Sequence, residues 1–333
     1  MTGSPRRPTI VDVARTAGVS KSLVSAALRG ETGVSAASRA RILAAADDLG
    51  YRSNGWAQRL VSGRSDLVGV LLTDLRNAYQ TEIVNGIEDA AHAAGFDVIL
   101  SHGRRDRDLL RTRLGGLVAL GVDAVIAVTG HLDADDLSVV AGRLPVVVVG
   151  RPSSVPEAAG WIRNDDETGA RLAVDHLHVQ GHTRIAYAHA SSRPASLARR
   201  DAYRALTTAP REYDVRDTGV ARLLDDVAAG VVTAAFAAND RIAAQIVAEA
   251  IDRGIRVPQD LAVVGYDNTE LADLVRPGLT SIDQPRGDMG SSAMAQALAL
   301  LDGAAPTREV AAPTLVVRAS SETPRAAGDA PTR

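Results

Sequence analysis

The side chains best placed to do chemistry follow short apolar runs. Asp74 comes after LVGVLLT, Arg151 after VVVVG, Asn239 and Asp240 after AAFAA, and Asp267 after AVVGY. Acceptors and bidentate donors on the rigid ends of strands are what a neutral polyol pocket needs, and Asp, Asn and Arg supply them. Two of these positions have a second reading: Asp240 also suits the cap of a helix starting at Arg241, and Asp267 also suits a turn. Catalytic chemistry finds little footing. There is no cysteine, which excludes disulfides, a thiol nucleophile and thiolate metal sites. The chain has no G-x-G-x-x-G after its first apolar run, no G-x-x-x-x-G-K-[ST] phosphate loop, no G-x-S-x-G elbow and no H-E-x-x-H pair. Its seven histidines are scattered, and His176 and His178, two apart, would point to different faces of a helix. No cofactor, metal or catalytic residue is expected.

Charge separates the chain into two parts. Through Ser65 there are ten basic residues against four acidic ones, whereas the whole chain of 333 residues carries a net −3. A basic head on an acidic body suits a protein that presents one end to phosphate. With 46% hydrophobic and 23% charged residues the chain can build two or three buried cores. The start, MTGSPRRPTI, lacks the apolar centre of a signal peptide, and no run of about 18 apolar residues follows. A cytoplasmic location, with no membrane partner, is the expectation.

Residues 1–8 read as a disordered basic arm. From Thr9 to Leu49 the pattern gives three short helices, separated by Ala17-Gly18-Val19 and by Arg29-Gly30-Glu31-Thr32-Gly33. Thr9 with Asp12, Ser20 and Ser35 stand where the three helices need caps. Val13, Ala14, Val19, Leu23, Val24, Ala27, Leu28, Ile42, Leu43 and Leu49 are the expected core. The stretch TIVDVARTAGVSKSLVSAALRG meets the needs of a helix-turn-helix: Gly18 makes the turn, and Lys21, Ser22 and Ser25 project from the N-terminal side of the second helix toward a major groove. Lys21 is the only lysine against 36 arginines, so a compact ammonium at this place hints at a base contact.

After Ser65 β-rich runs alternate with Ala-rich helical ones. Strands are expected at Leu67–Leu72, Asp97–Leu100, Ala124–Val128, Val146–Val149, Arg184–Ala188, Ala234–Ala237, Leu261–Gly265 and Leu279–Ile282. Expected helices include Glu82–Ala94, Ala170–Val179, Arg241–Arg253 and Asp288–Leu301. Continuous apolar runs such as VVVV signify parallel strands covered on both faces. The length suits two doubly wound α/β lobes, with a disordered tail from Ser320.

The head resembles that of the lactose-repressor (LacI) family in the ordered series DVA, AGVS, VS, VS..SR.RI, LGY and N..A..L. The resemblance continues through segments such as GIEDAAHAAGFDVIL, FAANDRIAAQIVAEAIDRGIRVPQDLAVVGYDN and LTSIDQP, roughly from Leu67 to Ser320. It implies an all-α helix-turn-helix domain over 9–52, a hinge helix and linker over 53–65, and a two-lobed periplasmic-binding-protein-like domain over 66–319 that binds an effector and dimerises. By it, Lys21 and Ser22 fall on the principal base-reading positions, and Thr9, Ser20, Ser25, Arg29, Ser35, Asn54 and Ala57 join the DNA-binding set. Leu60 matches the family's minor-groove lever, although it also suits a linker residue packed on the main domain. Ala26 departs from relatives that carry a guanine-reading arginine there, and Ser53 stands where many have proline. Arg199 falls where the family has an arginine that reaches the ligand, and Tyr79, Asn164, Phe236 and Gln284 complete the effector set. The implied partners are a pseudo-palindromic double-stranded operator, a small-molecule effector and a second copy of the chain. A sugar or sugar derivative is the leading effector, with a nucleoside or phosphorylated metabolite as the alternative. From other classes, an enzyme or an uptake protein on the same fold is the competing expectation. Two departures bear on the pocket: aromatic residues are only 3% of the chain, and TTAPREYDVRDTG is short for the helix end, strand and loop expected there.

Overall fold

The computed structural model describes residues 8–28, 33–51 and 64–322. It divides into two compact units, with the boundary after Asp66.

The first unit is three helices, α1 (Ile10–Ala17), α2 (Lys21–Leu28) and α3 (Ala36–Asp48). Asp12 closes the start of α1 by accepting from the Thr9 backbone N–H at 2.8 Å and its hydroxyl at 2.7 Å. Gly18 ends α1 at φ 65°, a left-handed conformation that costs a side chain but not a glycine. That geometry lets the Val19 N–H reach back to the Ala14 carbonyl and turns the chain into α2. Val13, Ala14, Ala17, Val24, Ala27, Ile42, Ala45 and Ala46 form the core. Leu43, expected inside, is exposed, because it stands one residue beyond Ile42 and so 100° round α3.

The second unit has two parallel sheets. Lobe 1 carries β1 (Leu67–Leu72), α4 (Ala78–Ala93), β2 (Asp97–His102), α5 (Arg107–Ala119), β3 (Ala124–Val128), α6 (Ala134–Ala141), β4 (Val146–Val149) and β5 (Gly160–Asn164). Lobe 2 carries α7 (Asp166–Val179), β6 (Ile185–His189), α8 (Pro194–Leu206), β7 (Arg211–Asp214), α9 (Val215–Thr218), α10 (Ala221–Ala228), β8 (Ala234–Ala237), α11 (Asp240–Asp252), β9 (Ala262–Asp267), α12 (Glu270–Leu274) and β10 (Thr280–Asp283). The chain then returns to lobe 1 with α13 (Arg286–Leu301) and β11 (Arg308–Ala311), and ends in lobe 2 with β12 (Thr314–Val316). The sheet orders are β11-β5-β4-β3-β1-β2 and β12-β10-β9-β8-β6-β7, with β12 alone antiparallel among the described strands. Three segments therefore cross between lobes, at 164–166, 283–286 and 311–314.

The short TTAPREYDVRDTG stretch still supplies a helix end, strand β7 and the turn α9. The tail expected from Ser320 starts with residues that belong to the fold, and the rest of it lies outside the described residues. Ser320 and Ser321 are fully buried, and the Ser320 hydroxyl accepts from the Thr280 N–H at 2.8 Å and donates to the Val263 carbonyl at 2.6 Å.

Candidate functional site

In the first unit, the Ser20 hydroxyl accepts from the Leu23 N–H at 3.2 Å and Ser35 does the same for Ser38 at 3.2 Å, so both serines cap helices. With Val24 and Ala27 turned into the core, Lys21 and Ser22 lie exposed on the first turn of α2 and Ser25 is half-buried beside them. A helix N-terminus edged by a cation is electrostatically suited to a DNA groove. Arg29, Asn54, Ala57 and Leu60 lie outside the described residues.

In the second unit, each sheet reverses its strand order once, β1 against β3 in lobe 1 and β6 against β8 in lobe 2. Crevices open at the carboxyl ends of strands at such points. Here both open onto one cleft of about 840 Å³, whose lining includes Asp74, Tyr79, Arg151, Asn164, Arg199, Asn239, Asp267 and Gln284.

Arg199 is its centre. This buried guanidinium donates from Nε to Asp166 at 2.8 Å and from Nη1 to the Ala238 carbonyl at 2.7 Å, lies 3.5 Å from the centroid of the Tyr266 ring, and comes within 4.0 Å of Asp267. Asp267 has φ 103° and Asn268 φ 48°, both on the strained side for a residue with a Cβ, at the end of β9. Burial pushes the Asp267 carboxyl up to about 8, against the opposing pull of Arg199. Gln284 donates to Asp267 at 2.6 Å and Asn164 donates to the Tyr266 hydroxyl at 2.7 Å. The side-chain carbonyl oxygens of both amides are buried without a hydrogen-bond partner among the described residues. Since a buried acceptor left unmade is costly, these two oxygens mark where a ligand would donate.

Asp74 lines the cleft with its carboxylate already occupied. It accepts from Arg76 at 2.9 Å and Arg105 at 3.1 Å, and the Arg76 bond holds it well below the usual carboxylate range. Arg151 is tied bidentately to Glu167 at 2.9 and 2.6 Å. Asn239 caps α11, accepting from the Ile242 N–H at 3.0 Å, and so takes the role that Asp240 could have had.

Two expected ligand residues do not reach the cleft. Phe236 is fully buried inside β8, one residue short of the strand's end, where its ring packs in the core with centroids 5.2 Å from Tyr187 and 6.3 Å from Tyr266. Asp240 accepts from the Thr269 N–H at 2.7 Å and the Ser281 hydroxyl at 2.5 Å, tying α11 to the neighbouring loop and β10. Asp166, His131, Arg193 and Ser196 line the cleft unforeseen. The signal for Asp166 was the doubled aspartate DD: Asp165 caps α7, taking the Thr168 N–H at 3.0 Å, which leaves its neighbour for another purpose.

Gly169 sets how closely α7 approaches this centre. A Cβ there would stand 2.2 Å from the Tyr266 hydroxyl, the far atom of the ring that supports Arg199. Gly169→Ala is expected to destabilise the fold by about 1–3 kcal/mol through overpacking. Adding Tyr266→Phe should recover part of the loss, since it removes the nearest clashing atom. Denaturant midpoints of the single and double variants measure this.

Among the described residues no cluster of His, Asp or Glu could hold a metal ion, and no helix is long and apolar enough to cross a membrane.

Family models match both parts: "Bacterial regulatory proteins, lacI family" over residues 9–54 and "Periplasmic binding protein-like domain" over 174–321. The HTH-type transcriptional regulator CelR of Thermobifida fusca is 36% identical over 308 residues, covering 86% of this chain and 89% of that protein. The chain belongs to the lacI family of bacterial regulatory proteins. Catabolite control protein A of Priestia megaterium is 32% identical over 304 residues, covering 86% of this chain and 90% of its own. Among solved structures, the lac repressor dimer bound to operator and the anti-inducer ONPF is 28% identical with a TM-score of 0.82, covering 96% of this chain and all of that one. The CelR–cellobiose complex is 31% identical with a TM-score of 0.67, covering 95% and 100%. This lacI-family member is thus a DNA-binding transcription regulator with an effector-binding domain, and its relatives are regulators rather than enzymes.

Proposed function

We propose that the protein acts as a homodimer on a pseudo-palindromic operator, read by Lys21 and Ser22 on α2, and that a sugar or sugar derivative in the cleft controls it. The observation that carries the effector reading is the pair of unpartnered amide oxygens, on Asn164 and Gln284, beside the Arg199–Asp267 centre. Hydroxyl groups of a polyol both donate and accept, which matches amide oxygens, a carboxyl and a guanidinium gathered in one cleft. The solved complex of the related CelR with cellobiose favours a carbohydrate. Residues from both lobes line the cleft, so a ligand touching both alters the balance between lobe arrangements by its differential affinity for them. Gel shift on the DNA upstream of the chain's own gene, with and without a panel of sugars, tests this and reads the sign of control. No retarded fragment under any condition would reject the operator reading, and a shift that no sugar alters would reject the effector reading.

The Asp267 carboxyl gives a pH signature. Its value in the fold, about 8, lies above the unfolded value of about 4, so its contribution to stability is complete below about pH 4 and is lost as pH rises through 8. A sugar hydroxyl that donates to the ionised carboxylate must expel the proton below that point. Affinity is therefore expected to rise between pH 6 and pH 8, with protons released in calorimetry across buffers of different ionisation enthalpy. Asp267→Asn should flatten the profile.

A further inference from the structure

The charges on the cleft walls do not balance. Six arginines line it against three aspartates; Arg151 and Arg216 are paired with Glu167 and Asp214 beside the lining, and the three lining aspartates are already engaged. Asp74 is held by Arg76 and Arg105, Asp166 by Arg199, and Asp267 is largely protonated at neutral pH. Among the described residues Arg193 and Arg241 form no ion pair, and both are exposed.

Arg193 begins α8, whose first turn borders the cleft. α5, α6, α7 and α11 each start with an Asp or Asn side chain that accepts from a first-turn N–H. α8 starts instead with a cation that makes no such bond, followed by Pro194, and the N–H groups of Ala195 and Ser196 precede the first helical bond, Leu197 N–H to the Arg193 carbonyl at 2.9 Å. One turn in, Ser196 lines the cleft at 9% exposure, and its hydroxyl has no hydrogen-bond partner among the described residues. Arg105 and His131 contribute from lobe 1. Burial first, and then the charges of Arg193 and Arg105, depress the His131 imidazole to about 4.

We infer that this corner is an anion subsite, in which Arg193, the Ser196 hydroxyl and the start of α8 bind a phosphate group carried by the effector. The inference rests on the cleft being the effector site, and it makes the ligand a sugar phosphate in place of a neutral sugar. A phosphate monoester offers three acceptor oxygens. It thereby matches a guanidinium fork, a serine hydroxyl and the N–H groups of Ala195 and Ser196, donors with no partner among the described residues.

The test is calorimetric titration of the full chain, at fixed ionic strength, with neutral hexoses and pentoses, their terminal phosphates, and inorganic phosphate. At least one sugar phosphate is expected to bind about tenfold or more tightly than its parent sugar, with inorganic phosphate competing weakly. Arg193→Gln, at an exposed position, should abolish that preference while leaving ligand-free thermal stability unchanged, and Ser196→Ala should reduce it. Parent sugars that bind as tightly as their phosphates, or a preference that survives Arg193→Gln, overturns the subsite and leaves the sugar reading standing. Inorganic phosphate that binds as well as any ester and ignores Arg193→Gln marks an adventitious ion only, and likewise overturns it. If nothing in the panel binds, the sugar reading itself fails, and the subsite with it.

Discussion

An Arg199→Gln variant is expected to retain operator binding and to lose its response to the effector, with ligand affinity down by about a hundredfold or more. The guanidinium makes four contacts at once: Asp166, the Ala238 carbonyl, the face of Tyr266 and the edge of Asp267. Glutamine can replace at most one donor and brings no charge. Breaking one partner out of a buried ion pair typically costs about 3–5 kcal/mol, because the other charge is left in a poor solvent. Here the loss should fall at the low end, since Arg151 remains 3.5 Å from Asp166 and the cleft admits water. The lobe 2 core, built round Tyr187, Phe236 and the strands beside them, should hold the fold. Arg199→Lys is expected to fail as a rescue, because one ammonium cannot span the Asp166 and Ala238 positions while lying flat on the ring. Thermal-shift titration and gel shift with the effector check this, and a variant that still answers the ligand at wild-type concentrations would displace Arg199 from the centre of the site.

What the sequence makes legible here follows from burial. β1, β3, β4 and β8 are covered on both faces, so LVGVLL, AVIAV, VVVV and AAFA stand out as apolar runs and mark parallel strands. β5 reads GWIRN with only alternate residues buried, and β7, β11 and β12 are edge strands of three or four residues. Their patterns are too short and too polar to separate from loops. The same physics governs the cleft. Asp74, Arg151, Asn239 and Asp267 stand at or beyond strand ends and do line the crevice, whereas Phe236, inside its strand, turns to the core. Arg193 and Ser196 escaped notice because their importance lies in bonds they do not make, at the start of a helix whose first turn happens to border the cleft. No residue pattern encodes that placement; it arises when two lobes bring their strand ends and a helix start together.

The second large effect is expected at the other end of the chain. Lys21→Ala should lower the preference for operator over random DNA by about 10–100-fold, the usual worth of one base contact at 1–3 kcal/mol, and should change non-specific binding far less. The local geometry motivates this. Ser20 caps α2 and Gly18 fixes its angle to α1, so Lys21 sits exposed on the first turn while Val24 and Ala27 anchor the opposite side in the core. An exposed lysine tied to no core packing is cheap to remove, and any loss on DNA cannot be blamed on unfolding. Binding at several salt concentrations separates the two roles a lysine can play. A phosphate contact would weaken all sequences alike and reduce the salt slope by about one, whereas a base contact leaves the slope and removes the discrimination. Lys21→Arg sharpens the comparison, since it keeps the charge but exchanges a compact ammonium for a planar fork. If alanine lowered affinity equally on operator and random DNA, Lys21 would be a phosphate anchor, and the reading of sequence would pass to Ser22 and Ser25.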